Sequence, residues 1–270
     1  MKKTSESFTA DETLDPTEFT FAPGTFSPNP QRASVGAMLL AQGKIEATLF
    51  LRHGEQLLLS FIIPLGMLIA VATLPIIDDP DPLHKGFPLM LAIAAMSSGF
   101  TGQAISLAFD RRYGALKRTG ASGVPSWTII VGKILGVVAV SVLQLLVLGT
   151  AALLLGWHTT GSGAFYVTCV FFLGVAAFTS LGMAMGGTLS SELVLGLANL
   201  MWIALIGAAA LLLFRAPDNP SPAFQIVPSI SLSDGILYAS EGNCPGVQLI
   251  ILLGWLIVGT AITTKWFRFS

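Results

Sequence analysis

Read for residues that could do chemistry, the sequence offers one dense charged segment. It runs Asp110-Arg111-Arg112-Tyr113-Gly114-Ala115-Leu116-Lys117-Arg118-Thr119-Gly120, with Gly132-Lys133 a dozen residues further on. Leu116 is the main apolar side chain between Arg112 and Thr119, so the segment reads as a short basic helix that projects charge and could dock on a soluble surface. Gly120 and Gly123 would end it, Pro125 suits the first turn of the next helix and Ser126 its N-cap. Nothing comparable points to catalysis. The two Gly-Lys pairs, Gly43-Lys44 and Gly132-Lys133, are each followed by Ile and lack the glycine five residues earlier, so the chain has no phosphate-binding P-loop. There is no HExxH and no Cys/His cluster to hold a metal, and Cys169 and Cys244 have neither zinc-ligand spacing nor a disulfide framework.

The elements that must position the charged segment are membrane spans. Of 270 residues, 53% are hydrophobic and 11% charged, where a soluble domain has about 25% charged, and the mean hydropathy is +0.75. No charge falls in 56–77, 86–109, 134–191, 193–214 or 242–264. About 20 apolar residues cross a hydrocarbon core about 30 Å thick, and the third window is long enough for two crossings. The expectation is an all-α integral membrane protein with six spans, at about 57–77, 87–109, 128–155, 164–189, 193–214 and 246–264. Residues 1–33, with Pro16, Pro23, Pro28 and Pro30 among polar and acidic residues, read as a disordered tail without a signal peptide. Residues 34–55 carry Val35, Met38, Leu39, Ile45 and Leu49 on one side, but Gln42 and Glu46 interrupt that stripe.

Orientation follows from the distribution of Lys and Arg near span ends. With the N-terminus in the cytoplasm, Lys44, Arg52, Arg111, Arg112, Lys117, Arg118, Lys265 and Arg268 lie inside and only Lys85 and Arg215 outside. The tryptophans mostly sit near expected span ends, where an amphipathic ring prefers the headgroup layer, while Trp202 lies deeper. Lys133 stands a turn or two into the third span, close enough to the interface for its stem to reach back to water. A net charge of −1 gives no case for nucleic acid.

The segment from Asp110 to Arg118, then Pro125-Ser126-Trp127 and Gly132-Lys133, resembles the loop between the second and third spans of type-2 ATP-binding-cassette (ABC) exporter permeases, which usually reads Glu-Arg-Glu-x-Gly-Thr-Leu-Glu-Arg, a Pro and then Gly-Lys. Ile226-Val227-Pro228 with Leu232-Ser233-Asp234-Gly235, and the ending Lys265-Trp266-Phe267-Arg268, are similar to the family's later segments, so the likeness covers roughly residues 34–268. Asp110 and Arg112 depart from the family's two glutamates. The resemblance implies a six-span permease with cytoplasmic termini in the plasma membrane. It would pair with a second permease chain, as homo- or heterodimer, and with separate nucleotide-binding subunits that hold ATP and Mg, this chain binding no cofactor. It further implies that Asp110, Arg111, Arg112, Gly114, Leu116, Lys117 and Arg118 form the coupling helix, supported by Pro125, Gly132 and Lys133. By the same likeness residues 34–55 form a helix along the cytoplasmic interface, and 215–245 holds short re-entrant helices on the outer side.

Gln103, Gln144, Asn199, Ser97, Ser98, Thr101, Thr179 and Ser180 are the polar side chains nearest the middle of spans, and most should hydrogen-bond between helices. Gln103 and Asn199 are the candidates to line a path. Gly182, Gly186, Gly187 and Gly196 should permit close helix contact, and Glu192 reads as a charge at a helix start. Spans rich in Leu, Ala, Val and Phe, with no ion pair expected among them, suit a hydrophobic or amphipathic cargo such as a drug-like molecule or lipid. Two rival classes differ in what they require. A secondary carrier or channel without ATP calls for intramembrane carboxylates or inverted repeats, and neither is evident. A rhomboid-like intramembrane protease would use Ser122 in Gly120-Ala121-Ser122-Gly123, but His84 and His158 are expected across the membrane from it and His53 precedes the first span.

Overall fold

Apolar stretches of this length have one open-chain way to satisfy their backbone in a hydrocarbon environment, and that is the helix. A computed structural model describes residues 33–75, 80–115, 126–215 and 222–266, and all regular structure among them is helical. Val35–Ser270 form one compact unit. The tail expected at 1–33 lies almost wholly outside the described residues.

Helix α1 spans Val35–Arg52. The first span, Gly54–Thr73, joins α2 (Gly54–Leu57), a π turn (Leu58–Ile62) and α3 (Ile63–Thr73). The second, Pro82–Arg112, joins α4 (Pro82–Ala95), a second π turn (Met96–Thr101) and α5 (Gly102–Arg112). Then follow α6 (Ser126–Leu154), α7 (Gly161–Thr188) and α8 (Ser191–Arg215). A 3-10 turn (Pro222–Ile226) leads to α9 (Pro228–Ser240), and α10 covers Gly246–Trp266. Among the described residues six helices are long and apolar enough to cross a membrane, and they fall on the six expected segments. Helix α9 has 13 residues, about 20 Å at 1.5 Å per residue, too short to cross and almost entirely buried between α4, α7, α8 and α10.

The second span is the core of the unit. Residues from Phe87 through Ala104 are buried nearly without break, while α8 and α10 leave most of their apolar side chains on the outside. Helix α7 lies against this core along its length, and its glycines explain how closely. A Cβ on Gly182 would stand 2.5 Å from the Phe100 carbonyl oxygen, and one on Gly186 would collide with that of Ala104. These two positions, four apart, let α7 meet the second span backbone to backbone. Gly196 differs from the expectation: nothing approaches it within 4 Å, because it faces away from the bundle.

Where the two π turns meet, buried polar groups satisfy one another. Ser60 Oγ donates to Ser97 Oγ at 2.9 Å, and Ser98 Oγ donates to Gln144 Oε1 at 3.1 Å. The Gln144 amide in turn donates to the carbonyls of Ser60 and Ala94 at 3.3 and 3.1 Å. A π turn disturbs the regular backbone ladder, and one glutamine on α6 takes up carbonyls from both neighbouring spans. Trp157, near the end of the third span, is buried with its ring 4.3 Å from that of Phe87. The pair belongs to the core because α4 begins beside the α6–α7 connection, where Thr159 also donates to the Ser240 carbonyl at 2.6 Å.

Candidate coupling segment and adjoining cavity

At the far end of the second span the backbone itself sets the geometry. Gly114 adopts φ +66°, which a glycine reaches without strain, and the amides of Tyr113 and Gly114 close on the carbonyls of Phe109 and Arg111. Asp110, Arg111 and Arg112 are therefore the last turn of α5, continuous with the span, and the separate basic helix expected from Asp110 onward does not begin there. Helix α5 thus ends at a turn through Gly114, and Gly120 and Gly123, the glycines suggested as the stop of the basic segment, lie outside the described residues. Leu116, Lys117, Arg118 and Pro125, with Ser122, lie outside the described residues.

The three described charges of the segment are all turned back onto the protein. Asp110 Oδ2 lies 2.7 Å from Lys133 Nζ. Arg111 Nη1 donates to the carbonyls of Gly186 and Leu189 at 2.8 and 3.2 Å, where α7 ends. Arg112 Nη1 pairs with Glu192 at 2.5 Å and donates to Ser191 Oγ at 3.1 Å, in the first turn of α8. Glu192 thus stands at a helix start, as read from the sequence, and also takes a cation from the segment. Each of the three ties the end of α5 to a different helix.

Lys133 corrects two expectations. Its side chain does not reach to water; it is 3% exposed, and its ammonium meets Glu46 Oε2 at 3.0 Å, Asp110 Oδ2 at 2.7 Å and Ser106 Oγ at 3.2 Å. A buried ion cluster therefore sits where none was expected. The reason is the packing of α1 on α6. Cβ atoms on Gly132 and Gly136 would run into Gln42 and Glu46, so the absence of side chains there brings α1 within reach of Lys133. Gln42 Nε2 steadies Glu46 through a 3.0 Å hydrogen bond. The two polar residues that interrupted the apolar stripe of α1 are thus the ones that face protein, while Val35, Leu40, Ile45 and Leu49 are exposed. The Gln42/Glu46 spacing of four was the signal for this, and it was legible only as a defect.

Beside the cluster lies a cavity of about 540 Å³ between α1, α2, the two π turns, α5 and the start of α8. Glu46, Glu55, Gln56, Gln103 and Asp110 are among its polar wall residues. Gln103 is buried there and its Oε1 has no hydrogen-bond partner among the described residues. Asn199 is not part of this wall; it donates to the Leu195 carbonyl of its own helix at 3.1 Å on the outer side of α8. The two residues singled out to line a path are thus not brought together.

Comparison with known proteins places this arrangement. Residues 85–264 match the family described as ABC-2 family transporter protein. The chain belongs to the ABC-2 transporter family. The match runs from the first turns of α4 to the last turns of α10, so five of the six spans and the charged end of α5 lie within it. This ABC-2 family protein is accordingly a multi-pass membrane protein, a permease with six candidate spans among the described residues. No curated protein matches it.

Proposed function

We propose that this chain is the membrane-spanning subunit of an exporter for hydrophobic or amphipathic molecules, driven by a separate ATPase subunit that docks on residues 110–119. The observation that carries the reading is the family match over the block that contains this segment. ATP and Mg would be held by the partner, in keeping with a sequence that has no P-loop. Two permease chains, alike or different, would enclose the path, with the N-terminus and the α5 end on the cytoplasmic side of the plasma membrane.

The anchoring of α5 supports the coupling role of this end. A displacement delivered beyond Gly114 is passed by Asp110 to Lys133 and α1, by Arg111 to the end of α7 and by Arg112 to the start of α8. Contacts of this kind move several helices as a body, which is what alternating access by rigid-body rotation needs. Asp110, Arg111 and Arg112 then act as the anchor, and Lys117 and Arg118 as the docking charges.

The test is to purify the tagged chain from its native membrane in mild detergent, identify what accompanies it and assay ATP hydrolysis. A stoichiometric protein with a Walker motif, lost in a Lys117→Glu/Arg118→Glu variant that still inserts, is the expected result. A lone chain without ATPase, under conditions that keep known complexes intact, would instead favour an ATP-independent carrier.

A further inference from the structure

We infer that the cavity beside the α5 end is a binding site for an amphipathic organic cation carrying N–H donors, an inference that rests on the export reading above and names its cargo class. The volume, about 540 Å³, lies within the range of about 300–1,000 Å³ usual for small-molecule sites. Its wall is mixed. Leu49, Phe50, Leu59, Ile105, Phe109 and Leu195 give it an apolar surface, against which a planar or alkyl body can rest.

The polar part of the wall selects for charge. Glu46, Glu55 and Asp110 line the cavity, and the described wall residues include no Lys or Arg. Lys133, held behind the wall, neutralises one of these three carboxylates and leaves the site negative. An isolated acidic cluster would be satisfied by water or a small ion, but two wall residues ask for more. Gln103 and Thr101 are 6% and 2% exposed, and Gln103 Oε1 and Thr101 Oγ1 have no hydrogen-bond partner among the described residues. A buried polar atom left unpaired costs about 1–3 kcal/mol, and an acceptor such as Gln103 Oε1 is relieved only by a donor. Acceptors and carboxylates on one side, with aromatic and aliphatic side chains on the other, match a cation that is apolar over most of its surface. An anion would meet three carboxylates, and an uncharged hydrocarbon would leave Gln103 unpaired.

The measurement is equilibrium binding by fluorescence anisotropy to the full chain, in detergent, with whatever subunits accompany it and without ATP. The probes are rhodamine 6G, a cation with two N–H groups, and fluorescein, an anion on the same ring system. Rhodamine 6G should bind at least about tenfold more tightly than fluorescein. Glu55→Gln, at an exposed side chain, and Gln103→Met, which keeps the length but removes the acceptor, should each weaken rhodamine 6G about threefold to tenfold. Glu55→Lys should narrow or reverse the preference. Glu241→Gln, at the opposite end of the bundle beside His84, should leave it unchanged. Equal binding of the two dyes, binding of neither, or rhodamine 6G binding indifferent to both Glu55→Gln and Gln103→Met would overturn the inference. Because the assay needs no nucleotide, its failure is separable from a failure of the ATPase-docking assignment, which co-purification tests by itself.

Discussion

Lys133 of α6 and Asp110, in the last turn of α5, stand 2.7 Å apart with Glu46 of α1 on the same ammonium at 3.0 Å. One buried cation thus joins three helices that are separated in sequence by a span and a loop. Taking Lys133 out of water is costly, and the two carboxylates with Ser106 Oγ repay it only while all are present.

Lys133→Met should therefore leave two carboxylates facing each other and destabilise the chain by about 3 to 5 kcal/mol. Adding Glu46→Gln and Asp110→Asn to that variant should recover most of the loss, since no uncompensated charge then remains. The fraction of detergent-solubilised protein that stays monodisperse after heating measures both. A triple variant as weak as the single one would show that the charges are not what holds these helices together.

The glycines of α7 give a prediction of opposite kind, about volume. Gly182→Ala and Gly186→Ala place a methyl group against the carbonyls of Phe100 and Ala104, backbone that cannot yield, and each should cost about 1–3 kcal/mol or more. Gly149→Ala, where nothing approaches within 4 Å, should be neutral or stabilising by up to about 1 kcal/mol. The same heating assay separates them.

Gln144 serves three groups at the meeting of the π turns. Gln144→Leu preserves its bulk but abandons the carbonyls of Ser60 and Ala94 and the Ser98 hydroxyl's Gln partner. The expected loss is about 1–2 kcal/mol, since Ser98 Oγ retains the Ala94 carbonyl at 3.0 Å. Gln144→Glu should do no better than Leu, because a carboxylate cannot donate to those carbonyls.

Arg111 and Arg112 are neighbours in sequence but should behave differently. Arg112 and Glu192 are 48% and 66% exposed, so a double-mutant cycle between them should give less than about 1 kcal/mol of coupling, decreasing with salt. Arg111 closes two carbonyls at the end of α7, and Arg111→Ala should cost more, about 1–2 kcal/mol, with little salt dependence. Equal losses at the two positions would contradict the distinction.

The six spans and the charged segment were legible in the sequence, because span length and hydropathy are local properties that a 30 Å hydrocarbon layer imposes on each helix separately. The same holds for Gly182 and Gly186 as contact glycines, where small residues four apart on one face already imply close approach. What the sequence could not decide is which face of α1 meets protein. In a soluble helix an apolar stripe points inward, whereas in α1 Val35, Leu40, Ile45 and Leu49 are exposed and the polar Gln42 and Glu46 make the contact with α6. That reversal also hid the burial of Lys133, whose partner lies on α1, 87 residues away along the chain. Likewise Asp110, Arg111 and Arg112 form one charged run in sequence, and only the packing of α5 against α6, α7 and α8 sends them to separate partners. Hydropathy acts residue by residue along a helix, whereas ion pairing depends on which helices lie side by side, and that is settled by tertiary packing alone.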